Sequence, residues 1–156
     1  MEQLVALGTA DAGEVLTLQR AAYVTEAQAH DDLQLPALRQ SLAELSDELG
    51  RPDVVAVGWR DGAGRLVAAV RATVVGAVAE IGRLTVAPDR QGERLGSRLL
   101  AAVEEALPAA VREVRLFTGE RSGANLRLYR RLGYRETHRT RTPAGYALVH
   151  LGKPRG

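Results

Sequence analysis

The chain of 156 residues has no cysteine. That excludes a disulfide scaffold, a thiolate zinc site and a cysteine nucleophile, and it fits a cytoplasmic protein. Aromatics are scarce, with one tryptophan, one phenylalanine and four tyrosines, so aliphatic side chains must do most of the packing. No stretch approaches the ~18 uninterrupted apolar residues of a membrane span. Met1 to Val5 lacks the basic region and apolar run of a signal peptide, so no targeting segment is expected. The three histidines, His30, His138 and His150, are far apart and show no metal-ligand spacing, so no metal is expected. Ser97 and Ser122 have no His/Asp signature of a hydrolase triad near them. Lysine is nearly absent too: one against twenty arginines, for a net charge of only +2. The arginines concentrate between Arg112 and Arg141, but they spread over several elements without interleaved aromatics. They read as a solvated face with phosphate contacts, and no nucleic-acid partner is expected.

What is present describes one mixed α/β domain over residues 1–156, long enough to bury about two thirds of its unfolded surface. A short strand is expected at Leu4 to Leu7. Helical spacing of Val15, Leu18, Ala22 and Ala29 predicts a helix from about Ala10 to His30. A second helix is predicted from Pro36 to Leu49, with Leu38, Leu42, Leu45 and Leu49 on one face and Gly50 as its stop. Strands follow at Asp53 to Arg60, Arg65 to Val75 and Val78 to Val86, separated by Gly-containing turns. A helix over Ser97 to Leu107, a strand over Glu113 to Thr118 and a helix over Ala124 to Leu132 come next. A final hairpin over Tyr134 to Thr142 and Tyr146 to Leu151 closes the chain.

The most informative segment is Val86 to Leu100. It reads as a strand end, a Pro88-Asp89 turn, a basic loop and the start of an amphipathic helix. Such a junction aims unpaired backbone N–H groups and a helix dipole at one point, which suits a phosphate. Gly96 is followed by Ser97-Arg98, not by the Lys-Ser/Thr of a P-loop, and the glycine spacing does not fit a dinucleotide loop. The segment resembles motif A of the GNAT N-acetyltransferases, written Gln/Arg-x-x-Gly-x-Gly/Ala after a strand ending in Val-x-Pro. Gln91, Leu95 and Gly96 fit that frame. Arg94 stands where the family usually has its first glycine, so a right-handed backbone is expected there, with Gly92 supplying one permissive position. Downstream, Asn125 to Tyr134 resembles the family's motif B, with Tyr129 at the tyrosine and Gly133-Tyr134 at the Gly-Phe. The two motifs, in this order, extend the resemblance over nearly the whole chain.

The resemblance implies a centrally splayed β-sheet of about seven strands flanked by about four helices, and acetyl-CoA as cosubstrate. It places the pyrophosphate on the backbone of Gln91, Gly92, Glu93, Arg94, Leu95, Gly96 and Ser97, and the pantetheine arm along Leu84, Thr85 and Val86. Asn125 reads equally as a helix cap and as the family's CoA contact. Tyr129 matches the tyrosine that protonates the departing thiolate; a phenol near pKa 10 can donate to a thiol near ~8.5 as charge develops. Glu80 matches the carboxylate that some members use as general base. A period of two would set Glu80, Gly82, Leu84 and Val86 on one face. Its plain alternative is an ion pair with Arg71 or Arg83. The acceptor wall would include Tyr23, Glu26, His30 and Asp31, beside Asp32. The alternative for these charges is a solvated helix end.

The expected activity is therefore acetyl transfer from acetyl-CoA to a primary amine by direct attack in a ternary complex, the acceptor being a small cationic amine. The alternatives are a non-catalytic acyl-CoA-binding regulator, transfer of another short acyl group, and modification of a protein N-terminus. A monomer or homodimer without membrane or nucleic-acid partners is expected.

Overall fold

The computed structural model describes residues 2–156. Seven strands form one sheet in the order β1-β2-β3-β4-β5-β7-β6. They are β1 (Gln3–Ala6), β2 (Val54–Arg60), β3 (Leu66–Val75), β4 (Val78–Val86), β5 (Glu113–Gly119), β6 (Arg135–Arg141) and β7 (Ala147–Pro154). The helices are α1 (Ala12–His30), α2 (Pro36–Arg39), α3 (Leu42–Leu49), α4 (Leu95–Ala106) and α5 (Gly123–Arg131). Neighbouring strands are antiparallel except β4 and β5, which are parallel and joined through α4, as a parallel pair requires a crossover.

Each face of the sheet has its own aliphatic core. On one, Leu95, Leu99, Leu100 and Val103 of α4 pack on Val70, Ala72, Ala79 and Ile81, with Tyr129 of α5 among them. On the other, Val15, Leu16 and Leu18 of α1 and Leu45 and Leu49 of α3 pack on Ala56, Leu66 and Ala69. A buried leucine contributes about 1.5–3 kcal/mol, so the single buried stripe of α4 is enough to hold the crossover on the sheet.

The helix expected over Pro36 to Leu49 is broken. Gln40 is extended (ψ 130°), and Ser41 starts α3 with a capping box in which its hydroxyl accepts from the Glu44 amide while Glu44 accepts from the Ser41 amide. The break frees Gln40 for a polar network under the helices. Its side chain accepts from Gln19 (3.0 Å) and Arg71 (3.1 Å) and donates to Glu48 (2.8 Å). The Ser-x-x-Glu pattern was a legible sign of the new start. Leu42, assigned to the buried face by spacing, is exposed as a result.

The feature that builds the site is the incomplete pairing of β4 with β5. Their ladder covers only Val78–Glu80 against Glu113–Arg115. Beyond it the strands part, and the β5-facing edge of β4 from Ile81 to Val86 has no strand beside it. A bulge lies at the same place: Arg71 pairs with Gly82, but Ala69 pairs with Thr85, and Arg83 takes a left-handed φ of 55°. The bulge overturns the expected alternation. Leu84 and Val86 pack with the α4 core, whereas Glu80 and Gly82 open on the α1/α3 side.

Candidate active site

The loop before α4 ends in a left-handed cap. Arg94 has φ 60°, ψ 22°, which corrects the right-handed backbone expected there; Gly92 is also left-handed, at φ 83°. A non-glycine residue in this region costs on the order of 1 kcal/mol. The geometry turns the chain so that the first intrahelical bond runs from the Arg98 amide to the Arg94 carbonyl (3.2 Å), which leaves the Leu95, Gly96 and Ser97 amides at the open helix end. Leu95 is buried and anchors the turn, while Gln91 to Arg94 are exposed. Glu93 does not compete for the site: its carboxylate is drawn back by Arg90 at 2.8 Å through two bonds. Gln91 donates to the Val86 carbonyl (3.3 Å), tying the loop to the end of β4. A Cβ on Gly96 would meet only Leu128 and Leu84, at 3.7 and 3.8 Å, so protein packing does not demand a glycine there.

The strand segment Leu84-Thr85-Val86 borders the opening between β4 and β5. Thr85 is buried and its hydroxyl donates to the Ala69 carbonyl (3.2 Å). Tyr129 lies on α5, 5% exposed, in the core against which Leu84 and Val86 pack, with its ring T-shaped to that of Tyr134. Burial, and then the nearby Tyr23 and Glu26, hold its phenol well above the usual value, so it is protonated throughout the neutral range. Burial likewise raises Tyr23, which lies beside Arg83.

The cap of α5 is Ser122, not Asn125. Asn125 sits one turn in and donates to Thr118 (3.4 Å), while the Ser122 hydroxyl is directed at the Glu26 carboxylate at 2.5–2.6 Å. Tyr23 and Glu26 are thus brought next to Tyr129. His30 and Asp31 are not. His30 is 3% exposed; its Nδ1 donates to the Glu26 carbonyl (3.0 Å) and its Nε2 accepts from the Arg121 amide (3.0 Å). That corrects both readings of His30, since it is neither a solvated helix end nor free to meet an acceptor. Asp31 is exposed in a left-handed helix cap, and Asp32 is bonded by the Tyr146 hydroxyl (2.6 Å). Sequence reasoning missed Ser122 as the partner of Glu26; a Ser-Gly pair ahead of the helix was its only signal.

Glu80 is exposed and forms no ion pair among the described residues. Arg71, one proposed partner, is committed to Glu48, Gln19 and Gln40. Burial raises the Glu48 carboxyl, but the bond and charge of Arg71 and the bond from Gln40 outweigh it and hold the group below its usual value. Glu80 faces Arg115 and His150 instead, and its charge partly offsets the lowering of His150 by burial and by the stacked His138.

The splayed parallel pair, the helix N-terminus beside it and the buried phenol of α5 are thus built from adjoining elements. A sequence model of the acetyltransferase (GNAT) family matches residues 15–134, and the chain belongs to that family. Solved structures agree with this at the level of fold. The ribosomal-protein-S18-alanine N-acetyltransferase of Escherichia coli superposes with a TM-score of 0.82 at 21% identity, over 100% of this chain and 95% of that one. The PaiA N-acetyltransferase of Thermoplasma acidophilum, solved with coenzyme A, gives 0.77 at 16% identity over 96% and 98%. The spermidine N-acetyltransferase of Vibrio cholerae, solved with CoA and spermine, gives 0.77 at 14% identity over 99% and 95%. No curated protein sequence gives a significant match. No helix among the described residues is long and apolar enough to cross a membrane.

Proposed function

We propose that the protein transfers the acetyl group of acetyl-CoA to a small primary amine by direct attack, without an acyl-enzyme. The observation that supports this is the gap between β4 and β5, beside the open amides of Leu95 to Ser97, with Tyr129 of α5 in the core that Leu84 and Val86 join. Acetyl-CoA fits this arrangement in chemistry. Its pyrophosphate suits the helix N-terminus and the Arg94 charge. Its pantetheine amides suit an unpaired strand edge, as an added strand would. Tyr129 then faces the thioester sulfur and protonates the thiolate as the C–S bond breaks. The amine comes from the α1/α3 side, where Glu80 is unpaired and takes the ammonium proton, directly or through water. Tyr23 and Glu26 line the approach to Tyr129, and the carboxylates favour an amine that arrives as a cation.

The test is CoA thiol release from acetyl-CoA against a panel of amines, with CoA binding read in parallel as a rise in melting temperature. Glu80→Gln should depress turnover most at low pH, where little free amine exists, and least at high pH, where solvent does the deprotonation. A folded protein that neither binds CoA nor releases thiol with any amine would overturn the reading.

A further inference from the structure

Arg83 combines a left-handed backbone with an unpartnered buried side-chain nitrogen, a pairing that no other arginine among the described residues shows. It is a non-glycine residue held at φ 55° in the interior of β4. Its Nε is one of two buried side-chain nitrogens among the described residues with no hydrogen-bond partner, the other being Trp59 Nε1. It also forms no ion pair among the described residues, whereas Arg71 beside it is neutralised by Glu48. A buried donor left unpaired is unfavourable, and so is a left-handed arginine. Both together at one residue point to a partner that the protein itself does not supply.

The surroundings say what that partner is. Arg83 lines a cavity of about 140 Å³ with Glu48, Arg71, Thr73, Glu80 and Phe117. Drug-sized ligands begin at roughly 300 Å³, so the hollow admits only a small molecule or one end of a larger one. Its wall is bipolar: Glu80 is a carboxylate that forms no ion pair among the described residues, with Arg115 only nearby, and Arg83 is a cation that forms none either. The Tyr23 phenol lies beside the Arg83 guanidinium, and Glu48 feels its charge while bonded to Arg71. The bulge creates this arrangement, because it turns Arg83 onto the α1/α3 side that Glu80 already occupies.

We infer that the acceptor is a zwitterion: a primary amine that carries a carboxylate or comparable oxyanion a few bonds from the nitrogen, with Arg83 binding the anion while the amine faces Glu80. A guanidinium offers a planar pair of donors to such a group, which a lysine would not. This inference rests on the acetyltransferase reading above and deepens it.

The experiment pairs each L-amino acid with the amine that lacks only its carboxylate, for example methionine with 3-(methylthio)propylamine and phenylalanine with phenethylamine. Acetyl-CoA-dependent thiol release is followed for each. For the wild type, kcat/KM for the best amino acid should exceed that of its partner by at least ~10-fold. In Arg83→Asn, chosen because asparagine tolerates a left-handed backbone, the KM of the amino acid should rise ~10–100-fold. The KM of acetyl-CoA should stay unchanged, and the advantage over the decarboxylated amine should disappear. The wild-type comparison stands even if the variant fails to fold. Equal or better use of the decarboxylated amines, of spermidine or of a peptide N-terminus would overturn the zwitterion inference and leave the acetyltransferase reading intact. An unchanged preference in a folded Arg83→Asn would do the same. Silence with every amine, and no CoA binding, would overturn both.

Discussion

Tyr129 shows how a single residue acquires a different character from its surroundings. In sequence it is one of four tyrosines, and its pKa would be ordinary. In the fold it is 5% exposed, and burial, then the nearby Tyr23 and Glu26, hold the phenol protonated well beyond neutral pH. In the proposed reaction a thiolate formed beside it would also be disfavoured as an anion, which narrows the gap between the two acids. Tyr129→Phe should lower kcat ~10²-fold or more while leaving CoA affinity nearly unchanged. In the wild type no loss of rate below about pH 10 should trace to this phenol, since its raised pKa keeps it protonated there. Turnover and CoA titration across pH check both statements; an unaffected kcat would make Tyr129 a packing residue.

At the scale of elements, β4 and α4 carry the candidate site, and each departs from regular geometry there. The Arg83 bulge shifts the second half of β4 by one position, and the Arg94 cap turns the chain into α4 with a left-handed residue. Gly96 separates packing from binding. A methyl there meets only ordinary van der Waals neighbours. Gly96→Ala should therefore leave the fold as stable as before or raise it by up to about 1 kcal/mol, from helix propensity. It should nonetheless weaken CoA by intruding on the space before the helix end. Denaturant unfolding and calorimetric CoA titration on the same variant measure the two effects, and parallel changes would show that Gly96 serves structure alone.

Over the whole molecule, the parted β4 and β5 leave two half-sheets that need a brace beyond their short ladder. His30 provides one. From the end of α1 it reaches the turn after β5, where it accepts from the Arg121 amide, lies tilted against Tyr146 with ring centroids 4.5 Å apart and leaves room for nothing larger than glycine at position 119. The neighbouring Asp32–Tyr146 bond adds to the brace. It lowers the Asp32 carboxyl, while burial and then that bond push Tyr146 up to about 12. A lowered carboxyl contributes stability that is complete above the ordinary value of ~3.9 and is lost as pH falls through the folded value, and the raised phenol contributes stability that is complete below its ordinary ~10 and is lost as pH rises through about 12, so the brace weakens in acid and again in strong alkali. His30→Ala should cost about 2–4 kcal/mol, because it leaves a cavity and an unpaired Arg121 amide. Urea unfolding measures it; a change below 0.5 kcal/mol would remove His30 from the role of brace.

Much of this was legible in the chain itself. The order of strands and helices follows from local periods and from turn residues, and β4 was expected at the Val78–Val86 it occupies. Local chemistry decides such features: Gly and Pro stop elements, and aliphatic spacing selects helix or strand. The position of the loop before α4 was legible for the same reason, because its residues are adjacent in sequence, although its left-handed turn at Arg94 was not. What only the tertiary structure decided are the features that depend on a neighbour distant in the chain. The bulge at Arg83 arises from the register of β3 on β4. The break at Gln40 serves Arg71 and Gln19, and the inward turn of His30 serves Arg121. Only the break at Gln40 had a local signal, the Ser41-x-x-Glu44 pattern; nothing local marks Arg83 or His30, since each answers to a register or a hydrogen bond whose other half lies on another element.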